Sequence, residues 1–326
     1  MELDLIIKHG VGRFSGMSGD LAAMERILEE ACGSAGELSG GLRRINSSGG
    51  KRLRPMLAWI CRHMSGEREP IVPLMCMLEL MHTASLIHDD IVDGAHIRRG
   101  AVTINKQDGI KAAIRSGDYL LAEAMGFLKI YRGTGINEAL SRVSELMSLG
   151  ELRRQERLFE TEGLCKEEYT DYIYGKTAAL IAESCRCGAT AGGASEDESL
   201  AILEFGRHLG MAFQMRDDCL DWTICAETGK APLQDLRSGV MTLPVILALE
   251  NDINNEELRE LLIKRDKNEE EIQRVFQLVR SAGALETAQE YVRREYAPAL
   301  EALTGSPDGP EKDALIQLAK SISEVK

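Results

Sequence analysis

The sequence predicts an all-α fold, and three observations carry that expectation. Apolar residues recur at helical spacing along most of the chain. Leu21, Met24, Leu28 and Ala31 form one stripe, Leu200, Leu203, Phe205, Leu209 and Phe213 belong to a second segment, and Ile272, Val275, Phe276 and Val279 to a third. Ala, Leu, Glu, Met and Arg, all good helix formers, dominate the composition. No alternating strand run is visible, nor a hairpin turn between two such runs.

The breaks between helical segments are short and fall at 47–50, 94–100, 132–135, 192–199, 227–239 and 304–310. None resembles an interdomain linker, so residues 1–326 read as one large domain, and 44% hydrophobic residues suffice for its core. The formal net charge of −13 argues against nucleic acid and against a polybasic membrane anchor. An anionic ligand would then need local cations. The most apolar stretch, 71–92, is interrupted by Glu79, His82, His88, Asp89 and Asp90, which suits a buried helix better than a membrane span. The first residues place acids where a signal peptide needs cations. The 8 cysteines show no metal-type pairing, and the nearest pair, Cys185 and Cys187, reads as packed thiols. These features together suggest a reducing, cytoplasmic setting.

Two aspartate clusters carry the chemistry. His88-Asp-Asp-Ile-Val-Asp93 and Arg216-Asp-Asp-Cys-Leu-Asp221 both contain Asp-Asp-x-x-Asp. Asp89 and Asp93 are four residues apart, as are Asp217 and Asp221, so each pair lies on one helix face. A solvated helix face is the plain alternative. Both clusters, however, follow apolar runs, where carboxylates are costly unless paired or bound to metal, and such close like charges call for a cation. Carboxylates without His or Cys suit Mg²⁺, which completes its octahedron with water and phosphate oxygens. The spacing therefore points to Mg²⁺–diphosphate.

Basic residues cluster in complementary places. Gly49-Gly-Lys-Arg-Leu-Arg-Pro55 is a glycine turn with three cations, Lys51, Arg52 and Arg54, and Pro55 marks a helix start. Arg98 and Arg99 follow the first aspartate cluster, and arginine forks match phosphate oxygens. Gly175-Lys-Thr177 adds a lysine with a hydroxyl beside it, although it lacks the preceding glycine of a Walker A loop.

In this order, the motifs resemble those of the trans-isoprenyl diphosphate (polyprenyl) synthase family. Those that carry the resemblance are Gly49–Pro55, His82–Asp93, Arg98–Gly100, Gly117-Asp118, Gly175–Thr177, Phe213–Asp221, Gly229-Lys230, Asp235-Leu236 and Thr242–Pro244, over roughly residues 45–250. The resemblance implies a large helical bundle around a deep central cavity, in a homodimer. It implies that Asp89 and Asp93 hold Mg²⁺ on one wall and Asp217 on the other, with Asp90, Asp218 and Asp221 behind them or linked through water. Arg98, Lys176 and Lys230 would bind the allylic diphosphate. Lys51, Arg54, His82 and Arg99 would bind the diphosphate of isopentenyl diphosphate, although a packed core imidazole is the plain alternative for His82. The catalytic set is then Lys176, Thr177, Gln214 and Asp217. Charge growing on the leaving diphosphate is neutralised as the allylic C–O bond ionises. The alkene of isopentenyl diphosphate, held adjacent, attacks the cation, and the departing diphosphate takes the released proton. Thr177 and Gln214 would aim oxygen dipoles at the cation, in a cavity poor in water.

Five and four residues before Asp89 stand Ala84 and Ser85, where short-chain members of the family carry bulky aromatics. An open floor there predicts a product of geranylgeranyl length or longer, with hexaprenyl to octaprenyl favoured, and Met81 and Leu78 set a lower floor. One departure concerns Gly239-Val-Met-Thr-Leu-Pro244, in which Val240 stands where the family usually has a diphosphate-binding lysine. Arg237 is the candidate to compensate, and Val240→Lys should raise catalytic efficiency. A class I terpene cyclase would replace the second Asp-Asp-x-x-Asp and lack the Lys51–Arg54 site. The catalytic subunit of a two-component synthase is a second alternative; a non-enzymatic regulatory or scaffolding subunit, which would tend to lose the aspartates, is a third, kept open by Val240.

Overall fold

A computed structural model describes residues 14, 16–224, 232–251 and 256–324. It is built almost entirely from helices. The chain forms two compact units, each assembled from separated stretches. The first contains the described residues up to Arg142, with Glu183–Leu203 and Gly305–Leu318. The second contains Val143–Ala182, Glu204–Thr304 and the described residues from Ala319.

The first unit begins with α1 (Met17–Ser34), α2 (Ser39–Ser47) and α3 (Leu53–Ser65). Helix α1 buries Met24 and Leu28 as the periodicity predicts, and adds Met17 and Cys32. The central element is α4 (Val72–Val92). It has no polar face over its first ten residues because α1, α3 and α6 (Ile110–Gly126) all pack on it. Leu74 to Met81 are all buried in consequence, including Glu79. That carboxylate is not solitary: Arg52 donates to it at 2.5 Å and to Glu25 at 2.6 Å, which makes its burial tolerable.

Between α4 and the short helix α5 (Ile104–Gln107) lies a small antiparallel hairpin, β1 (Ile97–Arg98) and β2 (Ala101–Val102), paired Ile97 to Val102 and Arg98 to Ala101. The sequence reading finds no hairpin, because two residues per strand are too few to show alternation. The signal that was present is the two-residue turn. Arg99 and Gly100 both have positive φ, 51° and 78°, as tight hairpin turns require.

Helix α7 (Ile136–Glu156) runs from the first unit into the second. The second unit continues with α8 (Lys166–Ile173), a π turn (Tyr174–Ala178), the start of α9 (Ala179–Gly192) and most of α10 (Glu196–Asp221). On α10 the buried face is set by Ile202, Phe205 and Leu209, whereas Leu200 is exposed. After α11 (Gln234–Ser238), α12 (Leu243–Asn251) buries every residue from Leu243 to Leu249 against α14 (Glu269–Ser281) and α15 (Ala284–Arg294). The N-terminus of α14 is closed by a capping box between Asn268 and Glu271. Helices α13 (Glu256–Ile263), α16 (Tyr296–Ala302) and α17 (Pro310–Ser323) complete the described chain. Among the described residues no helix is long and apolar enough to cross a membrane, and the cysteines carry free thiols, most of them buried.

Candidate active site

In the first unit, the last turns of α4 sort the aspartates by helical phase. Asp89 is partly exposed and Asp93 exposed, while Asp90, turned by one residue, is 3% exposed. Burial pushes the Asp90 pKa up, and Arg98 opposes it. The Asp90 Oδ1 accepts from Arg98 Nε at 2.8 Å and from its Nη2 at 2.6 Å. The Asp90 backbone carbonyl accepts from the Ala95 amide and from Asn105 Nδ2, both at 2.9 Å. Asp90 thus orients Arg98 and fixes the hairpin behind the outward pair.

The hairpin tip returns to the glycine turn, where Arg99 donates to the Gly49 carbonyl. Of the three cations in that turn, Arg52 is withdrawn to Glu25 and Glu79, while Lys51 is exposed. His82 lies within electrostatic reach of Arg54, Arg99, Arg52 and Arg98. Burial, and then those guanidinium groups, hold its pKa well below the ordinary value. The structure therefore gathers Arg54, His82, Arg98 and Arg99, which the sequence places in three separate stretches.

In the second unit, Lys176 and Thr177 occupy the π turn, a feature often found at functional sites. The turn is pressed against α7. A Cβ on Gly175 would stand 2.9 Å from the Leu146 carbonyl oxygen, and one on Gly150 would stand 3.3 Å from the Lys176 nitrogen. The approach at Gly175 demands glycine, and at Gly150 an added methyl would be tight. Thr177 donates to Gln214 Oε1 at 2.6 Å, and Gln214 Nε2 donates to Asp218 Oδ1 at 2.8 Å. Tyr169 donates to the other Asp218 oxygen at 2.7 Å. Both ends of the Gln214 amide are thereby engaged with the protein. Burial and Asp235 push the Asp218 pKa up to about 7, against the Tyr169 and Gln214 hydrogen bonds and Lys176. Burial also works against the Lys176 charge, but Tyr172 and Asp235 outweigh it and hold the ammonium protonated.

The second aspartate cluster follows the same phase rule. Asp217 is exposed and Asp218 buried. Asp221 turns to the following segment, where its carboxylate accepts from the Gln234 and Asp235 amides at 3.1 and 3.2 Å and caps the first turn of α11. Lys230, with Gly229, lies outside the described residues. Val240 is buried, and its amide donates to the Asp235 carbonyl at 2.9 Å. Arg237 donates to Glu269 at 2.9 Å, an exposed ion pair with α14.

Sequence reasoning missed Tyr169 and Tyr172. The available signal was spacing, since Tyr172 stands one helical turn before Lys176, and the Lys176 ammonium lies 5.5 Å from its ring centroid. The donors on the exposed sides of the clusters are all carboxylate oxygens, a set that fits a hard divalent cation. Among the described residues, no group of three or more His, Cys, Asp or Glu side chains gathers closely enough to hold a metal unaided.

Comparisons with known proteins identify the family. The family model described as polyprenyl synthetase matches residues 37–279. The chain is 30% identical over 304 residues to octaprenyl diphosphate synthase of Escherichia coli (strain K12), covering 92% of this chain and 94% of that protein. It is 32% identical over 318 residues to heptaprenyl diphosphate synthase component 2 of Bacillus subtilis (strain 168), covering 96% and 90%. Among solved structures, a decaprenyl diphosphate synthase from Rhodobacter capsulatus matches with a TM-score of 0.90 at 30% identity, covering 98% of this chain and 99% of that one. With its helical fold, its two aspartate clusters and these matches, the chain belongs to the polyprenyl synthetase family and is a prenyltransferase.

Proposed function

We propose that the chain, acting as one catalytic domain, condenses an allylic diphosphate with isopentenyl diphosphate to a long all-trans polyprenyl diphosphate, of geranylgeranyl length or longer, with hexaprenyl to octaprenyl favoured. The observation that carries the length is on α4. Ala84 is fully buried and offers only a methyl group, while Ser85 folds its hydroxyl onto the His82 carbonyl at 2.8 Å. In this reading both are too small to build a floor below Asp89. Met81 and Leu78, both buried, come next along the helix. The relatives named octaprenyl, heptaprenyl and decaprenyl diphosphate synthase support a long product.

Enzymes of this family are generally Mg²⁺-dependent, and in this reading Asp89, Asp93 and Asp217 hold the metal. Bound Mg²⁺ supplies charge neutralisation at the diphosphate. The protein does the rest with its own groups. Lys176 and Arg98 bind the allylic diphosphate, together with Lys230, and favour departure of the leaving group. Lys51, Arg54, His82 and Arg99 seat the diphosphate of isopentenyl diphosphate. A neutral imidazole suits His82 to donate one hydrogen bond without adding to the crowd of guanidinium charges. Thr177, tied to Gln214, keeps an oxygen beside Lys176.

The remaining assignments are a homodimer, for which exposed Ile110, Ile114 and Met125 on α6 offer apolar surface, and a cytoplasmic location. The likeness to a protein named component 2 supports a second reading, in which a partner subunit is required.

The test is a product assay with purified protein, Mg²⁺, isopentenyl diphosphate and each allylic primer, read by mass. A ladder ending at one long prenyl diphosphate is expected. Absence of elongation by the folded protein with every primer would sink the single-chain reading. Ala84→Phe should shorten the product, and an unchanged ladder would refute the length assignment.

A further inference from the structure

The short helix α11 carries Asp235, a carboxylate within electrostatic reach of Lys176. Burial disfavours the Lys176 charge, and Tyr172 and Asp235 offset that penalty. Where Asp235 stands therefore matters to Lys176. Helix α11 has only 5 residues, too few to hold themselves as a helix in water, so its position is set by what grips its two ends. At the start, the Asp221 carboxylate accepts from the Gln234 and Asp235 amides. At the end, the grip comes from Phe159, which belongs to the same unit.

Three contacts make that grip. Gly239 ends α11 in the left-handed region, with φ 82°, and its carbonyl accepts from the Phe159 amide at 2.9 Å. A Cβ placed on Gly239 would stand 2.5 Å from the Phe159 ring, so the ring fills space that only a glycine leaves. Two cations cover the ring in turn. The Lys267 ammonium lies 4.9 Å and the Arg265 guanidinium 5.4 Å from its centroid. Lys267 is itself anchored, since it donates to the Leu262 and Lys264 carbonyls at the end of α13, at 2.9 and 2.5 Å. Phe159 takes φ 62°, a conformation unfavourable to a residue with a side chain. Such a conformation persists where the surrounding contacts over-determine it. The turn beyond α11 also closes on itself. The Gly239 amide donates to the Leu236 carbonyl at 3.2 Å, and the Val240 amide to the Asp235 carbonyl at 2.9 Å. A displacement at Gly239 is thereby passed to the Asp235 backbone.

Resting on the active-site reading above, we infer that Phe159 is a positioning residue for the allylic diphosphate: by clamping Gly239 it holds α11, and with it Asp235, in register with Lys176. Phe159 touches no substrate and acts only through α11. The aromatic ring is required because it meets both the bare Cα of Gly239 and the cations of the 264–267 turn.

The experiment compares the full-length parent with Phe159→Tyr, Phe159→Leu, Phe159→Ala, Asp235→Asn and Phe159→Ala/Asp235→Asn. Calorimetry with Mg²⁺ measures affinity for farnesyl thiodiphosphate, an unreactive allylic analogue, and then for isopentenyl diphosphate added to that complex. Phe159→Ala should weaken the analogue about tenfold, the size of effect expected when a binding group moves by about an ångström. Affinity for isopentenyl diphosphate should stay within about twofold, because its site shares no contact with the clamp. Phe159→Tyr keeps the ring and should bind like the parent. Phe159→Leu keeps apolar contact without the cation–π partner and should fall between parent and Phe159→Ala. In the Asp235→Asn background the effect of Phe159→Ala should shrink to about twofold or less, since the clamp then has no carboxylate to place. Equal losses for both ligands would make the role merely structural, and an undiminished Phe159→Ala effect beside Asp235→Asn would break the link to Asp235. Either result overturns the assignment. If Phe159→Ala lacks parent-like circular dichroism, Phe159→Leu decides, and parent-like analogue affinity in that folded variant overturns it too. Failure of the parent to bind the analogue overturns the site reading and this assignment together, whereas parent-like binding in folded Phe159→Ala overturns this assignment alone.

Discussion

At the residue scale, the ion pair between Arg52 and Glu79 shows how one cation of a basic motif is diverted to structure. Glu79 is buried in the middle of α4, and Arg52 reaches it from the turn before α3. Removing one partner strands the other, so Arg52→Met should cost about 3–5 kcal/mol. Arg52→Met with Glu79→Leu should recover much of that. Urea denaturation checks both, and additive losses would refute the coupling. His82 gives a pH prediction of definite sign. Its folded pKa is lowered below the 6.5 of an unconstrained imidazole. The unfolded chain then binds the extra proton, so this group withdraws stability as pH falls through about 6.5, and has no effect well above it. In His82→Gln the decline in melting temperature between pH 7 and 5 should be shallower than in the parent. Parallel declines would show that His82 is not held neutral by its burial and its guanidinium neighbours.

At the element scale, the π turn and α7 act as one device. The turn places Lys176 and Thr177 by bringing backbone against backbone at Gly150 and Gly175. A methyl group on Gly175 meets the Leu146 carbonyl at 2.9 Å, which neither side can avoid by rotating a side chain. Gly175→Ala should cost about 1–3 kcal/mol and lower kcat roughly tenfold, because a shift of about an ångström in a positioned catalytic group has effects of that order or more. Gly150→Ala has looser contact and should be milder on both counts. Thermal melts with turnover measurements distinguish these outcomes, and equal effects would show that the approach at Gly175 is not what limits the turn. The helix phase within each Asp-Asp-x-x-Asp was legible, since residues one apart differ by about 100° around the axis. Which phase faces inward was not, because polar residues occur on several sides of α4 and α10 near these clusters, among them His82, Ser85, His88, Gln214 and Arg216.

At the scale of the whole molecule, the two aspartate clusters fall in different compact units, and in the proposed reading Mg²⁺ serves the diphosphate and not the fold. Chelation with EDTA should therefore abolish product formation while leaving helical circular dichroism and melting temperature nearly unchanged. A large drop in melting temperature would show that the metal holds the fold. Helical periodicity and helix-forming composition were sufficient for the all-α class, and the order of the motifs for the family. These are local or near-local properties, set by backbone period and residue chemistry. Only the tertiary structure decided the partners: Arg52 to Glu79, Arg98 to Asp90, Arg237 to Glu269, and Tyr169 to Asp218. Each long side chain has several charged neighbours in sequence, and the choice among them is made by which helices pack, a property that no local pattern encodes.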